Sequence, residues 1–152
     1  MSPVSAKVDY AMRALLELAA RSNEGPVKAE VLARDQDIPV NFLWNILGEL
    51  RTQGLVASMR GGDGGYWLMR PASEISVTDV LHAVEGRLLF GESVRLERSA
   101  YRGPARHLPA VWETAESSLC DFLSSLTLAD ILKGHVTGRR QRVERRKKSR
   151  SD

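Results

Sequence analysis

The chain has a single cysteine, Cys120, among its 152 residues. One thiol cannot close an internal disulfide, and it cannot supply the several thiolates that hold a zinc ion or an iron–sulfur cluster. Histidine is almost as scarce. His82, His107 and His135 lie far apart in the sequence, so surface or helix-edge positions are expected of them rather than metal or haem ligation. No apolar run approaches the roughly 18–20 residues that cross a bilayer. The first seven residues lack the basic-then-apolar pattern of a signal peptide. A cytoplasmic location with no membrane partner is the expectation. Catalytic groupings are missing as well: no Ser/His/Asp or Cys/His arrangement is legible, and the carboxylates scatter over helix faces, which argues against an enzyme. The run Gly61-Gly62-Asp63-Gly64-Gly65 does not fit a nucleotide loop. No Lys-Ser or Lys-Thr follows it, and its spacing is not G-x-G-x-x-G. No cofactor is implied.

What is present is an unevenly charged chain whose size suits one compact domain, extended by a dimerisation element. The formal net charge is +3. Residues 139–152 carry eight Lys and Arg against Glu144 and Asp152, or +6, which leaves −3 on the other 138 residues. The basic character therefore belongs to the tail, and DNA binding by the body has to be argued from local motifs. Such a tail is expected to be disordered. It could add nonspecific DNA affinity through counterion release.

Periodicity supplies those motifs. Ala11, Ala14, Leu15 and Leu18 mark an amphipathic helix over 6–20, which ends at Asn23-Glu24-Gly25-Pro26. A short helix over 28–36 uses Val31 and Leu32 as core contacts. After a break at Asp37-Ile38-Pro39, a third helix runs from Val40 to Gln53 with Leu43, Ile46, Leu47 and Leu50 inward and Gly54 at its end. Two helices joined by so short a break form a helix-turn-helix. Strand candidates at 55–60 and 66–69 flank the glycine tip as a hairpin, the wing, with Met59 and Met69 expected to face each other across it. Ser76-Val77-Thr78-Asp79 reads as a capping box opening a helix that buries Val77, Val80, Leu81 and Val84 and ends at Gly86. Residues 87–107 read as a loop, partly mobile. A long helix over about 109–125 and a short one opened by Thr127-Leu128-Ala129-Asp130 follow. Cys120, beside Leu119 and Phe122, is expected to be a buried apolar cysteine rather than a redox sensor.

The third helix carries the chemistry. With Leu43 set at zero and about 100° per residue, Leu47 and Leu50 fall within about 40° of it and Ile46 about 60° away. Asn41, Asn45, Gly48 and Thr52 lie roughly opposite, with Phe42 and Trp44 on the flanks. Amides can hydrogen-bond base edges, adenine above all. The N-terminal residues of a recognition helix enter the major groove. Asn41, Phe42, Trp44 and Asn45 are the base-reading candidates, with packing at the core edge as the alternative for the two aromatics. Arg60 beside the tip suits a narrow minor groove, and backbone N–H groups of Gly61 to Gly65 suit phosphates. Lys28 at the start of the second helix is a phosphate candidate. Lys7 and Arg51 are weaker ones.

These residues resemble the Rrf-two family of bacterial transcription regulators. The resemblance rests on Asp9-Tyr10-Ala11-Met12-Arg13-Ala14-Leu15, on Phe42-Leu43 through Leu50-Arg51, and on Gly54-Leu55-Val56. It continues through Arg60-Gly61-x-x-Gly64-Gly65-Tyr66-x-Leu68, Arg70-Pro71, the Ile75 to Gly86 helix and Leu126-Thr127-Leu128-Ala129-Asp130, covering about 4–134. It implies a homodimer whose long C-terminal helix crosses to the partner through Trp112, Ala115, Leu119, Phe122 and Leu126, and a near-palindromic operator bound as a repressor. It adds Tyr66 to the wing's DNA-binding set. Several relatives hold an iron–sulfur cluster through three cysteines in the loop before that helix. Here residues 87–107 contain none, so the usual cluster is excluded. Some relatives have Glu where Trp44 stands, which points to a different operator sequence.

The expected fold is mainly α: a winged helix-turn-helix with a two-stranded β-wing over 1–86, a loop and dimerisation helices over 87–134, and a basic tail over 135–152. The expected partners are double-stranded DNA and a second copy of the chain. Two alternatives are a regulator controlled by a small-molecule effector in a pocket between the domains, and a protein-interaction module that keeps the fold without an operator.

Overall fold

The computed structural model describes residues 4–86 and 100–136. Most of the expected loop, 87–99, and the basic tail beyond 136 lie outside the described residues. The helices are α1 (Ala6–Ala20), α2 (Ala29–Asp35), α3 (Val40–Thr52), α4 (Val77–Glu85), α5 (Leu108–Ser125) and α6 (Leu128–Leu132). The strands β1 (Val56–Met59) and β2 (Gly65–Leu68) form an antiparallel pair between α3 and α4. This is the expected mainly helical winged fold.

Local chemistry sets the helix ends. Ser5 caps α1, its hydroxyl accepting the Val8 N–H at 3.3 Å while it donates to the Glu85 carboxylate at the far end of α4. Ser76 with Asp79 and Thr127 with Asp130 form complete capping boxes on α4 and α6. The break between α2 and α3 is a Schellman motif. Asp37 adopts φ +52°, its N–H bonds Arg34 O, and the Ile38 N–H reaches back to Ala33 O at 2.8 Å. Ile38, two residues past the last turn, is buried and anchors the turn. The same motif ends α3: Gly54 takes φ +75°, and the Leu55 N–H bonds Leu50 O at 2.9 Å. A buried Leu55 then delivers the chain into β1.

One core unites these elements. Leu15, Leu32, Leu43, Leu47, Leu50, Leu81 and Leu128 are fully buried together. Each such side chain contributes roughly 1.5–3 kcal/mol by leaving water. Leu128 belongs to α6, so the chain's C-terminal helices return to the winged helix. Backbone bonds from the Val77 N–H to Leu126 O and from the Leu128 N–H to Ile75 O, both 2.9 Å, stitch the return in place. Leu126, expected on the outward dimerisation stripe, is buried in its own chain by these bonds. Cys120 is half-buried rather than buried, on a helix whose main packing partner among the described residues is α4.

The wing differs from expectation in two respects. Met59 pairs with Gly65 in the ladder, and Met69 lies one step beyond it, donating its N–H to Leu55 O at 3.0 Å, so the two methionines are not opposite each other. The second difference is a third backbone partner. Val27, just before α2, exchanges two hydrogen bonds with Tyr66, at 2.9 and 2.8 Å. This contact explains Gly65, which sits at φ +151°. A Cβ there would lie 2.6 Å from the Val27 carbonyl carbon and oxygen. At Gly64 a Cβ would meet Met59 O at 2.3 Å.

An ionic cluster ties α1 to α2. Arg21 pairs with Glu17 at 2.8 Å and with Asp35, and Arg34 pairs with Asp35 at 2.8 Å. The hydrogen bond from Arg34 is the largest influence on the Asp35 carboxyl, and with the smaller one from Arg21 it holds the group below its ordinary value of 3.8 despite desolvation, which opposes it.

Gly65→Ala should destabilise the fold by about 2 kcal/mol or more in chemical unfolding, since a strained φ and a backbone clash coincide. Gly62→Ala, which meets nothing within 4 Å, should change stability by less than about 0.5 kcal/mol. Equal effects would refute the close approach at Val27. Because the folded pKa of Asp35 is depressed, its contribution is full above the ordinary value and disappears as pH falls through the lower folded one. The difference in Tm between the wild type and Asp35→Asn should therefore shrink between pH 6 and pH 3.

Candidate nucleic-acid interface

The outward face of α3 is built as the helical phase predicts. Leu43, Ile46, Leu47 and Leu50 are buried, while Asn41 and Asn45 are exposed on the other side. Phe42 is 62% and Trp44 48% exposed. Neither aromatic is packed away at the core edge, so large apolar rings stand in solvent at the N-terminal half of this helix. Gly48 lies on the same face, and a Cβ built there would meet nothing within 4 Å. A glycine inside a helix costs about 1 kcal/mol relative to alanine. Nothing among the described residues requires one at this position. Thr52, one turn on, donates its hydroxyl to Gly48 O at 3.0 Å.

The cations near this face divide into engaged and available groups. Lys7 pairs with Glu49 at 2.8 Å and donates to Val84 O at 3.1 Å, so it neutralises the one carboxylate of α3 and holds α1 to α4. Its ammonium is thereby engaged within the fold. Arg51 is exposed and donates to the Ser58 hydroxyl at 3.0 Å, a link from the last turn of α3 to β1. Sequence spacing gave no sign of this link, since Ser58 belongs to another element. Lys28, at the N-cap of α2, and Arg60, just past β1, are exposed, and their side chains have no hydrogen bond or ion pair among the described residues.

The wing tip offers fewer backbone donors than the glycine run suggested. Gly61 and Gly62 are exposed, but Gly64 and Gly65 are buried, and the Gly64 N–H is taken by Gly61 O at 3.1 Å. The Tyr66 N–H is used by Val27, and its ring packs against the core. Gly64, Gly65 and Tyr66 therefore shape the wing from within, leaving Arg60, Gly61 and Gly62 as its accessible tip. Asp63 lies at that tip too and is the one acidic group there.

Among the described residues no group of three His, Cys, Asp or Glu could hold an ion, and with Cys120 alone the chain cannot provide a three-thiolate cluster site. No helix of the described residues is long and apolar enough to cross a membrane.

Comparison with known proteins agrees with this geometry. A family model described as Rrf2, iron-dependent transcriptional regulator, matches residues 4–134. A protein of Mycobacterium tuberculosis named as an HTH-type transcriptional regulator, Rv1287, is 43% identical over 131 residues, covering 86% of this chain and 81% of that one. The HTH-type transcriptional regulator IscR of Photorhabdus laumondii is 34% identical over 149 residues, covering 94% and 89%. Among solved structures, T. potens IscR superposes with a TM-score of 0.71 at 34% identity, over 87% of each chain. CymR, the global cysteine regulator of B. subtilis, does so at 0.73 and 28% identity, over 88% of this chain and 98% of its own. These relatives are regulators, not enzymes. The chain belongs to the Rrf2 family of DNA-binding, winged helix-turn-helix transcriptional regulators.

Proposed function

We propose that this regulator is a cytoplasmic homodimeric repressor that binds a near-palindromic operator. The observation that carries the reading is the outward face of α3, where Asn41, Phe42, Trp44 and Asn45 are exposed around a glycine the fold itself does not need. Asn41 and Asn45 would read base edges and the two aromatics would contact thymine methyls or sugar faces. Gly48 would let the helix axis come close to the groove. Arg60 would enter the minor groove from the wing, with Lys28 and Arg51 on flanking phosphates. Residues 1–86 would form the DNA-binding unit, supported by the returning α6. The basic tail, 135–152, would add salt-dependent affinity.

Dimerisation is assigned to residues 87–134 and within them to α5. Of its 18 residues only Pro109 is buried. Trp112 is 49% and Phe122 40% exposed, with Ala115 exposed and Leu119 half-buried between them. An apolar stripe of this length on one face of a helix is unfavourable in water and suits a second copy of itself. A two-fold pair would place the recognition helices about 34–36 Å apart, one turn of DNA, or a multiple of that.

Selection of bound fragments from random DNA should return an inverted repeat. Against that sequence, Asn45→Ala should lose tenfold or more in affinity while binding random DNA as before; equal losses on both would remove its base-reading role. Gly48→Ala should raise stability by about 0.5–1 kcal/mol yet weaken operator binding, a divergence that ordinary surface positions do not produce. Unchanged affinity would mean that DNA does not approach this face. Trp112→Glu should convert the dimer to a monomer in sedimentation at micromolar concentration. A dimer that survived Trp112→Glu and Phe122→Glu together would place the interface elsewhere.

A further inference from the structure

A groove of about 780 Å³ runs between the C-terminal turn of α1 and the wing. Its size falls within the range of small-molecule sites. It is lined by Leu18 and Ala72, by Trp67, Met59 and Met69, and by Arg70. It lies inside the winged helix, not between this unit and α5. Met59 and Met69 are more than half exposed, so flexible thioether side chains line an opening that no described residue fills.

The groove also holds an unused hydrogen-bonding edge. Tyr66 directs its N–H and C=O to Val27, and the Met69 N–H goes to Leu55 on the other side. Alternation along the strand therefore turns the Leu68 N–H and C=O to the Val27 side. There the neighbouring chain has already left the sheet, through Gly25 at φ +82°. Neither Leu68 group has a backbone partner among the described residues. Arg70 is exposed, and its only ion pair among the described residues is a loose one, 3.9 Å from Asp79. Arg21, the other cation on the groove, is already held by Glu17 and Asp35.

The geometry points to this groove as a binding site for a small apolar carboxylate. The carboxylate would accept hydrogen bonds from the Arg70 guanidinium and the Leu68 N–H. The hydrocarbon or aromatic body would lie against Leu18, Met59 and Trp67, and the Leu68 C=O could take a hydroxyl or amide donor on the ligand. Met59 directly precedes Arg60, so an occupant that moves Met59 moves the wing tip. The regulatory consequence rests on the DNA-binding reading; the binding itself does not.

The test uses the full chain with Trp44→Phe and Trp112→Phe, leaving Trp67 as the sole tryptophan. Octanoate and 3-phenylpropionate are titrated against Trp67 emission, with octanol as the uncharged counterpart. A saturable change with at least one carboxylate is expected, with tenfold or more weaker binding of octanol. Arg70→Gln should weaken the carboxylate by a similar factor, and Met69→Glu, a solvent-exposed change at the mouth, should abolish the response while thermal melts remain cooperative. No saturable response to either carboxylate, equal affinity for octanol, or indifference to both variants would overturn the site. Because this readout contains no DNA, it stands or falls separately from operator selection. If the carboxylate binds, operator affinity in its presence should shift at least threefold; no shift would overturn the coupling to the wing.

Discussion

The pair of hydrogen bonds between Val27 and Tyr66 is the contact on which the arrangement of this regulator depends. A two-stranded hairpin alone is marginal in water. Here a third backbone, only one residue wide, clamps the hairpin to the segment that leads into α2. Gly65 permits the approach, and the Schellman turn at Gly54 fixes where the hairpin leaves α3. The wing is thus held at both ends relative to α3, which fixes how Arg60 and the α3 face are presented together. Arg51 on Ser58 adds a side-chain strut between the same two elements.

Much of this fold was legible from the sequence because its elements are strongly periodic and clearly punctuated. The α1 stripe, the α3 stripe and the two capping boxes predict their helices to within a residue or so. Other features were not legible, for physical reasons. Val27 forms a bridge too short to leave a period in the sequence. Leu126 reads as continuing the α5 stripe, yet the chain turns extended at Leu126 and carries it into the core. Periodicity shows which face of a helix is apolar but not what that face meets. The methionine pair was misplaced because the tip length, and hence the strand register, depends on how Gly61 to Gly64 turn.

The interface shows the same division. Helical phase alone identified the outward residues of α3, and their exposure agrees. Which cations remain available could not be read in advance, since Lys7 finds Glu49 across forty-two positions of chain and Arg51 finds Ser58 on a different element. The glycine run promised a row of free amides. Half of it is instead consumed in packing the wing, a role composition cannot distinguish from ligand contact.

The return of α6 to α1 has a consequence for synthesis. Leu128 fills the same core as Leu15, so α1 does not find its full set of neighbours until more than 100 further residues have been made. Contacts this distant in sequence form late and slow the search for the native state. On the ribosome, the earliest helix to emerge would wait with its apolar face open until the last helix leaves the exit tunnel. A nascent or prematurely terminated chain would carry α3 without the closed core that orients it.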